Sequence, residues 1–285
     1  MKSALIIGSS VCDVHIYVKQ LPQLCGDENI ISQNMAMGGC AWNVASIFRQ
    51  TKLPYTLFSP IGKGIYGEFV KTHFQKNQIP ILIETNQKNG CCYCIIDQQG
   101  ERTFLCEHGA EYFYQKEWFQ QLDMKQYQCV YLCGLEIEED THEVIYHFLK
   151  NHDHLSIYFA PGPRLMDIPK QSFQNILSLH PIIHLNKQEI LTYTQQTTLE
   201  QACQYLYQQT HQPVIVTLGK DGCYFYNQQE NFHIPAIPVS VYNTNGAGDS
   251  HIGSVMAYRM LGYSWFHALQ KANEIAAMKI SKKHL

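Results

Sequence analysis

A rhythm in the second half of the chain constrains its fold most. Short apolar runs at residues 129–132, 156–160, 182–186 and 214–218 are separated by helical patterns at 141–151, 169–179 and 199–209, with little chain between them. Strands buried on both faces read as continuous apolar runs, and parallel neighbours need a crossover that is usually a helix. The rhythm therefore predicts an α/β fold, a doubly wound and mostly parallel sheet with helices on both faces. Ala4-Leu5-Ile6-Ile7-Gly8 reads as a first buried strand of the same kind, and residues 55–61 as another. With 285 residues, 45% of them hydrophobic, the chain has ample material for such a core.

Two stretches break the rhythm. Val14, Ile16 and Val18 alternate, Leu21-Pro22 and Cys25-Gly26-Asp27 interrupt, and Ile30-Ile31 resume. Residues 91–96 and 102–106 alternate around Asp97-Gln98-Gln99-Gly100, a good hairpin turn. These pieces predict a small β lid from residues 13–37 and 90–107, leaving 1–12, 38–89 and 108–285 as the α/β core. A flap of this kind covers a substrate and excludes water.

In open α/β sheets ligands bind beyond the carboxyl ends of the strands. Asp13 follows the first strand and is a candidate there, or else a turn-capping residue. Gly38-Gly39 opens a helix that carries Asn43 in its first turns, where the amide either meets a hydroxyl or caps the helix. Asn186 and Glu189 leave one strand end; Thr217, Gly219 and Gly222 leave the next. An apolar run at 234–241 leads into Gly246-Ala247-Gly248-Asp249, followed by the helical pattern of Ile252, Val255, Met256 and Met260. Backbone N–H groups at a helix start lack partners and carry the positive end of the dipole, so they suit an anion. Asp249 beside them suits deprotonation of a hydroxyl attacking a phosphoryl group; the other reading is an ordinary N-cap at Asp249 or Ser250. Gly62-Lys63-Gly64-Ile65-Tyr66-Gly67, with Glu84 downstream, competes as a dinucleotide fingerprint.

Composition removes other classes. A net charge of −3, with Lys282-Lys283 the only basic run, argues against nucleic acid as partner. No apolar run reaches the roughly 18 residues of a membrane span. The 11 cysteines form no spaced framework, and with no leader pattern at the N-terminus they read as reduced thiols of a cytoplasmic protein. Cys91-x-x-Cys94 lies in a strand-like run, His142-Glu143 and His147 miss the zinc-protease spacing, and His152-Asp153-His154 falls in a loop. All of these read as structural.

Gly38-Gly39-x-x-x-Asn43-x-Ala45 and Asn243-Thr244-Asn245-Gly246-Ala247-Gly248-Asp249 together, in this order, make the chain resemble the ribokinase-like (PfkB) carbohydrate kinases. Gly8 to Asp13, Leu21-Pro22 with Gly26-Asp27, Gly100-Glu101-Arg102, Asn186-x-x-Glu189 and Thr217-x-Gly219-x-x-Gly222 extend the likeness over nearly the whole chain. The resemblance implies a ribose- or fructose-like sugar, or a nucleoside, held by Asp13, Gly38, Gly39, Asn43 and Glu136. Its hydroxyl would lose a proton to Asp249, with Gly246, Ala247 and Gly248 offering amides to the phosphoryl group. It further implies ATP bound near Asn186, Thr217, Gly219, Gly222, Gly246, Gly248 and Asn273, Mg²⁺ organised by Glu189 through water, and a homodimer formed through the lid.

Three positions depart from the family pattern. Asn243 replaces the usual Asp and cannot supply its charge to a K⁺ ion. Gly64 replaces the Asp of Gly-x-Asp-x-x-Gly, which gives that loop its dinucleotide look. The chain's end at Leu285 leaves little to close the adenine pocket, so weak nucleotide affinity is expected. Lys63, Arg102 and Arg164 are the basic residues available to a phosphorylated substrate; none is paired with another in sequence, so an unphosphorylated sugar or nucleoside is preferred. His15, Cys40, Trp42, Cys92 and Phe104 would shape the sugar pocket, with Trp42 read as core. A non-catalytic sugar-binding relative and a nicotinamide-dependent oxidoreductase remain as the other classes.

Overall fold

The structure is a computed structural model and describes residues 2–139 and 142–281. The start of the helix expected at Thr141 and the Lys282-Lys283 pair lie outside the described residues. Eight strands form the main sheet. In spatial order they are Asn231–Ile234, Cys223–Tyr226, Val214–Thr217, Ile182–Asn186, Ser156–Ala160, Tyr127–Cys133, Ser3–Ile7 and Tyr55–Phe58. Every pairing from Val214–Thr217 to Tyr55–Phe58 is parallel; the other two edge strands turn antiparallel.

The apolar runs are continuous because both faces are covered. Ala4 and Ile6 point into one core with Val44, Phe48, Ile252 and Met256, while Leu5 and Ile7 point into the other with Ile145, Phe173, Ile190 and Leu206. Helices Cys40–Thr51, Ile65–Lys76, Ala247–Met260 and Trp265–Ile280 therefore lie on one face. His142–Lys150, Lys170–Leu177, Lys187–Thr194 and Leu199–Thr210 lie on the other. Each fully buried large side chain contributes about 1.5–3 kcal/mol of transfer free energy, so two such cores hold the sheet between them.

The second sheet has four strands, in the order Ile30–Gly38, Val11–Val18, Cys91–Ile96 and Arg102–Glu107. Its hairpin closes where the sequence placed it. Asp97 Oδ1 accepts the amides of Gln99 and Glu101, each at 2.9 Å, and Gly100 takes a φ of 84°. Cys91 and Cys94, three apart on a strand, point to opposite faces and cannot chelate one ion.

Two expected strands are shorter than the sequence suggested. Pairing ends at Ile234, and residues 235–241 run as irregular chain because Pro235 and Pro238 cannot donate to a ladder. The run at 55–61 splits into Tyr55–Phe58 and a separate short strand, Ile61–Lys63, paired with Glu84–Lys88. Gly62 and Gly67 serve that turn: a Cβ on Gly67 would meet Gly62 O at 2.1 Å. Glu84 pairs with Lys71 at 2.7 Å. The dinucleotide fingerprint is thus a strand-to-helix packing device.

Candidate active site

Gly246 caps the Ala247–Met260 helix in a left-handed conformation, φ 68°, and no side chain caps it. Asp249 is therefore not the N-cap. A Cβ on Gly246 would meet Asn43 Nδ2 at 2.7 Å, so both the backbone and the close approach require glycine. Asn43, in the second helix-opening turn, does not cap its own helix either; its Nδ2 donates to Asp249 Oδ2 at 3.0 Å. Tyr131 Oη donates to Asp249 Oδ1 at 3.4 Å, and the Cys40 thiol also reaches the carboxylate. Burial pushes the Asp249 pKa up, and these three donors, with Lys279, pull it back.

Asp13 stands mid-strand rather than in a turn. Its carboxylate lies 2.2 Å from where a Gly38 Cβ would be, so Gly38 exists to admit it. Burial raises its pKa to about 7, with Cys106 and Asp249 adding repulsion and Lys279 opposing. Gly39, at φ 98°, lies against Ser9 O, which a Cβ would approach to 2.4 Å. Glu136 is fully buried below, accepting the Ser9 amide at 2.8 Å and lifted by burial to about 7. It reaches the site through the Gly8-Ser9 turn: a Cβ on Gly8 would come within 2.8 Å of Glu136 Oε1.

Beside this cluster opens a cavity of about 550 Å³. It brings together Thr217, Gly219, Gly222, Ala247, Gly248 and Asn273, with an apolar wall from Ile237, Val239, Val241 and Ile280. Nothing stands within 4 Å of where a Gly248 Cβ would be, so its backbone is open to a ligand. The Ala247 amide, expected to face the anion, turns back to Thr244 O at 3.1 Å. Asn273 lines the cavity, but its amide donates to Ile234 O and Pro235 O and accepts from His251 Nε2 at 3.1 Å. His251 Nδ1 in turn faces His184 Nε2 at 2.9 Å. Burial lowers both imidazole pKa values, that of His251 to about 4, so the pair is neutral.

Asn186 sits one strand away from Thr217, in register with it, and Glu189 lies in the first turn of the helix that follows. They form a capping box: Asn186 Oδ1 accepts the Glu189 amide, and both Glu189 oxygens accept from Asn186. They do not line the cavity. Mg²⁺ is held characteristically by one or two carboxylates with waters and substrate phosphates, so a single half-buried carboxylate at this strand end fits a water-mediated role. Among the described residues no group of three metal-ligating side chains occurs.

Sequence reasoning missed two participants, Tyr131 and Lys279. Tyr131 looked like core, since an apolar run hides a hydroxyl at its inward end. Lys279 sits near the end of the last helix, and its charge acts on both Asp13 and Asp249. Arg102 was considered for a substrate phosphate; instead it bridges from the small sheet to Tyr242 O at 3.0 Å and Thr244 Oγ1 at 3.4 Å. Arg164 is likewise engaged, with Glu138 and Asp167. Trp42 packs as core, stacked on Phe74.

The model of the pfkB family carbohydrate kinases matches residues 1–285. The chain belongs to the PfkB family. It is accordingly a carbohydrate kinase, a phosphotransferase with an alcohol group as acceptor. An uncharacterized sugar kinase of this kind, YegV from Escherichia coli (strain K12), is 27% identical over 99% of this chain and 89% of its own length. Mouse (Mus musculus) ribokinase is 25% identical over 98% of this chain and 88% of its own. The crystal structure of ribokinase from Thermotoga maritima superposes with a TM-score of 0.86 at 20% identity, covering 100% of this chain and 94% of that one. This PfkB kinase thus has the ribokinase-like fold, and a nicotinamide chemistry at Gly62–Gly67 is set aside. No helix among the described residues is long and apolar enough to cross a membrane.

Proposed function

We propose that the protein transfers the γ-phosphate of ATP to a hydroxyl of a small unphosphorylated sugar, ribose- or fructose-like, with Asp249 as the base. The observation that carries this reading is the placement of Asp249: in the first turn of a helix, oriented by Asn43, next to the open backbone of Gly248. A sugar hydroxyl seated on Asp249 gives its proton to the carboxylate as its oxygen bonds to phosphorus and ADP leaves. The Gly248 and Asp249 amides at the helix start stabilise charge on the transferred group, with Gly246 setting their direction. Asp13 and Asn43 accept from and donate to neighbouring hydroxyls, while Gly38 and Gly39 let backbone and ring approach closely.

The 550 Å³ cavity suits the nucleoside end of ATP, its apolar wall against the base and Thr217, Gly219 and Gly222 along the phosphates. Mg²⁺ bound with those phosphates would neutralise charge on them, and Glu189 would hold its waters. Arg102 and Arg164 already have partners, which favours a substrate without a phosphate of its own. Ile30, Ile31 and Leu105 are exposed on the lid, and a second copy covering them would form a homodimer.

The test is ADP release from Mg-ATP across pentoses, hexoses, sugar acids, sugar phosphates and nucleosides, with Asp249→Asn in parallel. Turnover with one unphosphorylated class that is lost in the variant supports the reading. Sugar binding without any turnover would instead assign a non-catalytic relative, and turnover restricted to nucleosides or sugar phosphates would move the substrate class.

A further inference from the structure

The lid carries a pair of cysteines that the kinase chemistry does not use. Cys92 and Cys106 are directly opposed on the antiparallel strands Cys91–Ile96 and Arg102–Glu107. Their sulfurs are 3.5 Å apart. Directly opposed residues have Cα atoms about 4.5–5.5 Å apart, inside the roughly 4.4–6.8 Å window a disulfide needs, so the bond closes without moving the strands. Cys106 is exposed and Cys92 half-buried, so an oxidant reaches the first and the second stands behind it.

The pair faces the active site. Side chains alternate along a strand, so Cys106 shares its face with Arg102, which reaches the loop before Gly246. Cys92 shares its face with Cys94, which hydrogen-bonds Asn245 of that same loop. Asp13 is the register partner of Cys92 on the central strand, and the charge of Cys106 acts on its carboxyl group. The other buried thiols, such as Cys129, Cys203 and Cys223, have pKa values pushed up by burial and are inert.

We propose that Cys92 and Cys106 form a reversible dithiol/disulfide site, a modification point on the substrate side of the lid that responds to hydrogen peroxide. The Cys106 thiolate attacks a peroxide oxygen; the S–O bond forms, the O–O bond breaks, and the departing oxygen leaves as water after taking a proton. The Cys92 sulfur then attacks the Cys106 sulfenic acid, forming S–S and releasing a second water. The two thiols lose two electrons and one peroxide is reduced to two waters. Two features support the first step: the hydrogen bond from Cys92 lowers the Cys106 thiol below its ordinary range, and His108 and Arg164 add positive field. Oxidation removes that thiolate charge from beside Asp13. The site stands on its own geometry and does not depend on which sugar the kinase takes.

The test uses the full chain, fully reduced and then exposed to stoichiometric hydrogen peroxide, with peptide mapping by mass spectrometry. The exposed Cys25, which no other thiol adjoins, is the internal reference. The expected result is a Cys92–Cys106 crosslink, reversed by dithiothreitol, formed before Cys25 is modified. Alkylation of Cys106 at pH 6 should exceed that of Cys25 by on the order of tenfold. Cys92→Ser should trap sulfenic acid on Cys106 as a dimedone adduct, and Cys106→Ser should abolish the crosslink. A Cys106 that stays reduced while Cys25 oxidises, or that pairs with a different cysteine in wild-type protein, would overturn the proposal; the wild-type map alone decides this if either variant misfolds.

Discussion

Asn43 Nδ2 donates to Asp249 Oδ2 across 3.0 Å, although 206 positions separate them in the chain. Each opens a helix at a glycine-led turn, and the two helices pack on the same face of the sheet. The bond aims the carboxylate and leaves Oδ1 to Tyr131 and a substrate. Asp249→Asn should lower kcat by about 10² to 10⁴-fold while sugar binding, read by calorimetry, persists. Asn43→Ala should cost roughly ten- to a hundredfold through loss of a hydrogen bond to a charged group. Equal activity of Asp249→Asn and wild type would remove Asp249 from the chemistry.

The carboxyl groups set the acid limb. In the proposed reaction Asp249 as base and Asp13 as hydroxyl acceptor both work ionised, and both pKa values are raised, Asp13 to about 7. The expected profile of kcat/KM therefore falls as pH drops below about 7 instead of holding down to the ordinary carboxylate range near 4. A profile flat to pH 5 would contradict it.

Glu136 makes a stability prediction of opposite appearance. Its folded pKa of about 7 exceeds the unfolded value, so the folded state holds the proton more tightly. The group's penalty is absent below pH 4.5, grows as pH rises, and is complete above 7, up to about 3 kcal/mol. Glu136→Gln, which keeps an acceptor for the Ser9 amide, should gain stability over wild type at pH 8 and lose that advantage by pH 5. Urea melts of both proteins at the two pH values measure this.

Arg102 links the small sheet to the loop before Gly246. Arg102→Ala should raise the sugar KM by on the order of tenfold, since a lost charge-assisted hydrogen bond is worth roughly 1.5 kcal/mol or more. The thermal midpoint should hardly move, because this contact is at the surface. An unchanged KM would show that the lid closes without it.

Asn243 predicts indifference to K⁺. Its Oδ1 accepts the Asn245 amide at 2.8 Å, so the side chain builds the turn and brings no charge to a cation. Rates in K⁺ and in tetramethylammonium salts at equal ionic strength should agree within about twofold, and Asn243→Asp should introduce a K⁺ response.

The parallel sheet was legible because two-sided burial writes itself as apolar runs, and the turn into the Ala247–Met260 helix because Gly246 is required by its left-handed backbone. The hairpin turn was legible from Asp97 and Gly100. What the sequence hid was partnership. Glu189 is also bonded by Asn186 on both oxygens, a pairing that their spacing as a capping box could have announced. Ala247 looked like an open amide until the chain's return to Thr244 was visible. Tyr131 and Lys279 act from elements distant in sequence, where no local pattern records their reach. The edge at 235–241 was misread because apolar content outweighed its two prolines.

The amides of Tyr242 and Asn243 both donate to Ile280 O, at 2.8 and 3.2 Å. The loop before Gly246 is thereby moored to the last turn of the helix Trp265–Ile280. Anything that frays that turn, such as a protease trimming the helix or an antibody gripping it, would be felt at the loop that leads into Gly246.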